Sequence, residues 1–166
     1  MKITLPLCIA LLLIAPQVTW SAESFNAHTH RCEKLTPGKG STAQSCADMT
    51  RANINHAQLS GRDLKGIKLL RAKLHQADLS NSNLQGANLQ FADLHKGSLR
   101  HADLREANLR EAKLYKVDLS GADLRGANLS QARLTGAILT GALFNDRTVL
   151  PFDRARALSL GMEYLP

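Results

Sequence analysis

Ala122-Asp123-Leu124-Arg125-Gly126-Ala127-Asn128-Leu129 holds two copies of one five-residue unit, and its apolar centres, Leu124 and Leu129, belong to a longer series. Nineteen such centres follow one another at steps of five: Ile54, then Leu59 through Leu139, then Phe144. Two positions before the centre stands Ala in fourteen of the nineteen units, with Arg62, Ile67, Ser82, Gly97 and Val117 as the exceptions. Both positions must therefore face a cramped interior. The spacing excludes the ordinary elements. Successive centres advance by about 140° around an α-helix and visit every side of it. In a straight strand they would alternate between the two faces, because five is odd. A chain that turns a corner once per unit keeps them all inward. Gly at the second position after the centre, in seven units (61, 66, 86, 121, 126, 136 and 141), suits a corner with unusual backbone angles.

Outside the repeat, the 166 residues leave room for a processed leader and no second core. Lys2 supplies a positive start, Ile3 to Val18 is mostly apolar, and Thr19-Trp20-Ser21-Ala22 offers small residues for cleavage, so residues 1–22 read as an export signal. An uncleaved anchor competes, but Pro6, Pro16 and Gln17 interrupt the run, and cleavage leaves no stable membrane span. Cys8 sits too early in the leader for lipid attachment. Export leaves Cys32 and Cys46 in an oxidising compartment, where a disulfide between them would contribute about 3 kcal/mol. Metal binding by His28, His30 and Cys32 is the weaker alternative, since no second ligand cluster of recognised spacing accompanies it. No metal site and no cofactor is expected. The formal charge of +7 falls to +6 when Lys2 leaves with a leader that has no Asp or Glu. Such a balance favours acidic partners and is equally compatible with a soluble protein that has none.

The quoted stretch resembles the pentapeptide-repeat family, whose unit is Ala-(Asp/Asn)-Leu-x-x. Asp or Asn precedes the centre in eleven of the nineteen units. The resemblance implies an all-β fold: a right-handed, quadrilateral β-helix of twenty residues per coil, about five coils here. At a spacing of roughly 4.8 Å the rod would be roughly 23 Å long. The expected divisions are 1–22 (signal peptide), 23–51 (N-terminal loop and cap), 52–146 (β-helix) and 147–166 (C-terminal cap). Both ends of such a rod need covers. Asp153 as N-cap and Gly161 as stop predict a short C-terminal capping helix through Leu160. Arg62 breaks the small-residue rule in the first coil and is expected to reach solvent or an acidic partner there.

At twenty residues per coil, residues twenty apart stack, and the sequence resolves into four outward faces. One carries the column Asn55, His75, His95, Tyr115 and Thr135 beside Asn53, Lys73, Asp93, Lys113 and Arg133, with His56, Gln76, Lys96, Lys116 and Gly136 at the corner. Lys73, His75, His95, Lys96, Lys113, Tyr115, Lys116 and Arg133 are the candidate binding residues: the cations attract an anion, and the rings offer stacking and hydrogen bonds. The competing reading is a solubilising face. A second face alternates Asp63, Asn83, Asp103 and Asp123 with Lys65, Gln85, Arg105 and Arg125, and a third aligns Asn88, Asn108 and Asn128 as a side-chain ladder near an exposed Phe91. Ser120, Asp118 and His101 invite a catalytic triad, but nothing orients His101 or supplies an oxyanion site, so no enzyme is expected.

The function this supports is a non-enzymatic scaffold, periplasmic or secreted, presenting a basic face to a protein or an anionic envelope component. Some relatives are DNA mimics acting on topoisomerases, which is the alternative; a basic charge and an export signal weigh against it and against nucleic acid as a partner. Other relatives pair end to end, which implies a homodimer as one arrangement.

Overall fold

The structure, a computed structural model, describes residues 48–166. The signal peptide, Cys8, the disulfide expected between Cys32 and Cys46, and the His28, His30 and Cys32 cluster lie outside the described residues.

Backbone pairing follows the five-residue phase. Parallel bridges join residues twenty apart, from Asp48 with Lys68 through Asp123 with Leu143, always at the position before the centre. Four units therefore separate bridged partners, and the chain winds as a parallel β-helix. The centres are buried along its length except Leu134 near the C-terminal end, and Leu69, Leu84, Leu104 and Leu124 have no exposed surface. Alanine fills the second inward position. At one such site Gly97 lies beneath Val117 in the same column, and a Cβ added to Gly97 would stand 3.0 Å from the carbonyl oxygens of both Ala77 and Leu94. Ser82, the polar exception, is 1% exposed and donates its hydroxyl to the Leu79 carbonyl at 2.6 Å, so its polarity is satisfied in place. Arg62 is half-buried.

The corners repeat one geometry. From Ile54 to Leu139, the N–H three residues after the centre donates back to the centre's carbonyl, as from Ala57 to Ile54 at 3.2 Å, and the residue before that donor has positive φ. This is the signature of a type II turn. Glycine holds the position in the seven units named above; at others it is a left-handed side-chain-bearing residue such as His56 (φ 59°), Phe91 (φ 58°) or Lys116 (φ 54°). The conserved conformation at these corners thus extends beyond its glycines.

The Asp or Asn before the centre has a local task. In ten of the eleven cases its Oδ1 accepts the N–H two residues on, as from Ser80 to Asp78 at 2.9 Å. These are Asx turns leading into the corner. Asn88, Asn108 and Asn128 are occupied in this way, by Gln90, Arg110 and Ser130, and no amide-to-amide bond joins them among the described residues. The expected side-chain ladder is corrected accordingly: each of the three Oδ1 atoms is taken by an amide of its own coil. Asn83 does bond along its column, donating Nδ2 to Asp63 Oδ1 at 2.9 Å.

At the C-terminal end the phase slips by one residue: Asn128 bridges Val149, twenty-one on. Thr148 holds the longer corner, its hydroxyl donating to the Leu124 carbonyl and accepting from the Gly126 and Asn145 amides. The chain then forms α1 (Arg154–Ser159), with Asp153 accepting from the Arg156 N–H as N-cap and Ala157 buried. It next returns to the β-helix. Strand β1 (Leu143–Phe144) pairs in parallel with β2 (Glu163–Tyr164), again twenty residues apart, and Met162 is buried two positions before Tyr164. Tyr164 donates its hydroxyl to Asp146 at 2.8 Å, and Arg154 lies 3.6 Å from its ring centroid. Among the described residues no helix is long and apolar enough to cross a membrane.

Candidate binding face

Bridges from Asn53 to Lys73, Asp93, Lys113 and Arg133 place these residues in one column, and the adjacent outward position carries His75, His95 and Tyr115. The rings form a run. His75 and His95 have centroids 6.0 Å apart with planes tilted by 57°, and His95 and Tyr115 are 6.1 Å apart in an edge-on arrangement at 61°. Asn55 continues the run downward, its Oδ1 accepting the His75 N–H at 2.8 Å.

Asp93 organises the face. Its Oδ2 takes His75 Nε2 at 3.0 Å and Lys113 Nζ at 3.1 Å, while Oδ1 takes the His95 N–H. Partial burial raises the carboxyl's pKa, but the bonds from His75, Lys113 and the His95 amide together outweigh it and hold the group below its ordinary value. Asp93 is the single acid in its column, a signal open to sequence reading but absent from the candidate set. Of that set, His75 and Lys113 are thus tied to Asp93. Arg133 donates to the Tyr115 hydroxyl at 3.1 Å. Lys73, Lys96 and Lys116 have no carboxylate within 4 Å among the described residues, and all three are exposed. Arg71 lies 5.2 Å from the centroid of Phe91 at the neighbouring corner, and this half-buried ring is not the exposed aromatic expected from its position.

The remaining surface is more nearly self-neutralised. Arg105 and Arg125 each grip the aspartate two residues earlier through two nitrogens, at 2.6–2.9 Å. The Arg105 side chain holds the Asp103 carboxyl below its ordinary pKa. The shallow recess beside Arg105, Arg125 and Arg147 therefore offers guanidinium groups already held by Asp103, Asp123 and Glu106. Ser120 Oγ donates to Asp118 at 2.6 Å rather than to a histidine, and the His101 ring covers Gly121. No nucleophile–base pair is assembled there.

Pentapeptide repeats match as a family model in eight copies over residues 67–105 and 102–141. A pentapeptide repeat protein from the Arabidopsis thaliana thylakoid lumen is 35% identical, with 62% of this chain and 73% of that one covered and a TM-score of 0.47. One from Nostoc Pcc 7120 is 37% identical over 72% of this chain and 85% of its own, at a TM-score of 0.34. QnrB1, a plasmid-mediated fluoroquinolone resistance protein, is 19% identical over 64% of this chain and 62% of its own, at 0.27. No curated protein matches. The chain belongs to the pentapeptide-repeat family, whose fold is a right-handed β-helix.

Proposed function

We propose that this is a non-enzymatic, exported scaffold that presents the Lys73–Lys116 face to an acidic partner, a protein or an anionic envelope component. The carrying observation is that, among the described residues, Lys73, Lys96 and Lys116 stand without carboxylate partners beside a continuous run of His75, His95 and Tyr115 rings. Elsewhere Arg100, Arg105, Arg110, Arg125, Arg147 and Arg154 each meet an aspartate or glutamate. Unneutralised ammonium groups leave a positive potential for an incoming anion, and rings packed at tilted and edge-on angles hold one another in place. Lys113 and Arg133 support the face through Asp93 and Tyr115. On this reading the rod is four-sided with about five coils, α1 is its C-terminal lid, residues 1–22 direct it to the periplasm or outside the cell, and Cys32 pairs with Cys46.

The test compares the full-length chain with a variant carrying Lys73, Lys96, Lys113 and Lys116 replaced by Gln. Retention on anionic lipid vesicles, acidic glycans and acidic peptides is measured against salt. Loss of retention in the variant on one of these supports the reading, and equal behaviour of the two chains on all of them overturns it. Each cation contacting the partner should steepen the salt dependence.

A further inference from the structure

Among the described residues, two sides of the last coil, at Arg133 and Ile138, lack the partner strand that the coil below has. One coil below, Leu114 N–H donates to the Arg133 carbonyl at 2.9 Å, Lys116 N–H donates to Thr135 at 3.1 Å, and the Ala112 carbonyl accepts from Arg133 N–H at 2.9 Å. The equivalent groups twenty residues on, Leu134 N–H, Gly136 N–H and the Ala132 carbonyl, have no partner among the described residues. The ladder is intact to either side, where Leu129 N–H reaches Val149 and Gly141 N–H reaches Gly161, both at 2.7 Å. The stretch of chain that would have closed the gap is spent on α1.

The gap is open. Arg133, Thr135 and Gly136 are exposed, and Ile138 is 51% exposed. Leu134 and Ala137 are partly exposed, whereas Leu114 and Val117 below them are fully buried. A Cβ built on Gly136 would meet only Lys116 Cγ, from the coil beneath, at 3.3 Å. Unpaired donors and acceptors in strand geometry, accessible and in register, are a template for an added strand.

We propose that the edge over Ala132–Gly136 binds an extended acidic segment of a partner protein as one more parallel strand. The register of the lower coils dictates the chemistry. The ligand residue above Arg133 donates its N–H to Ala132 and accepts from Leu134 N–H, and its side chain points outward over the Lys113 and Arg133 column, so it is Glu or Asp. The next residue points inward over Leu134 and is apolar. The one after it accepts from Gly136 N–H. Arg133 donates to a phenol hydroxyl and meets no carboxylate among the described residues, which leaves its charge available. A second copy of this chain fits less well, because a self-complementary pairing brings Arg133 of each copy to one edge. The inference is independent of what Lys73, Lys96 and Lys116 bind.

Amide hydrogen exchange of the full-length chain, resolved by residue, tests it with the peptide acetyl-Ala-Glu-Leu-Thr-Gly-amide. At saturation the Leu134 and Gly136 amides should exchange about tenfold more slowly, while Leu114 and Lys116 are unchanged. Methylating the glutamate nitrogen removes the donor to Ala132 and should abolish the protection; replacing the glutamate by lysine should weaken binding about tenfold. Absence of protection overturns the proposal. So does equal protection by the N-methyl peptide, which would show a contact made without strand addition. Slow exchange at Leu134 and Gly136 in the free chain that disappears on dilution would assign the edge to a second copy instead.

Discussion

Where an aspartate or asparagine precedes a centre, in ten of eleven cases Oδ1 takes the amide two residues on and the second atom of the group is left for other duties. That explains why the two residue types interchange in this column and why neither alone defines a face. Asp93 uses its second oxygen for His75 and Lys113. Its carboxyl is held below its ordinary value of 3.8, so these contacts contribute stability above that pH and lose it as pH falls through the lower native value. Denaturant melts between about pH 2 and 5 should show the Asp93→Asn chain losing less stability on acidification than the parent, and identical profiles would remove Asp93 from that role. Gly97 makes the opposite demand. Its Cβ would press on two backbone oxygens at 3.0 Å, neither able to move aside as a side chain can, so Gly97→Ala should cost roughly 1–3 kcal/mol in the same melts. Inward Leu and Ala were legible from their phase. The left-handed angles at Phe91 or Glu111 were not, because a residue type that bears them reluctantly gives no sign that the hydrogen-bond frame has imposed them. Asp93 was readable as a lone acid, but its partner His75, two residues on from the position directly beneath it, is adjacent only through the winding of the coil.

At the level of elements, α1 and β2 form one closure. Asp153 caps a helix too short to persist alone, Ala157 packs inward, and Tyr164 anchors the returning strand through Asp146 and Arg154. Asp153→Ala should cost roughly 0.5–2 kcal/mol and should loosen β2 with the helix, seen as faster exchange at the Glu163 and Leu165 amides, which pair with Ala142 and Phe144. Unchanged exchange there would mean that the strand docks without the helix. The return to register at Gly161-Met162-Glu163-Tyr164 escaped sequence reading. None of its residues is the expected Ala or Leu, and the one-residue slip at Asn145–Thr148 had already broken the count. What holds it in register is the Tyr164 ring, which packs edge-on over Phe144 with centroids 5.6 Å apart.

For the molecule as a whole, composition and repeat spacing pointed to a solenoid without a cleft, and its sides differ chiefly in how far their charges are satisfied internally. Columns could be drawn from the sequence as soon as a coil length was adopted; which cations remain free could not, because that depends on rotamers choosing between Asp93, Tyr115 and water. The ladder that builds those columns also governs how the rod would fail. Its backbone bonds between coils run along the axis, one layer upon the next, so tension between the two ends passes through every layer, and the end layers, bonded on one side only, are the first to open. A rod of this kind yields by unwinding from an end, a turn at a time, and each turn of twenty residues lets out roughly 65 Å of slack chain.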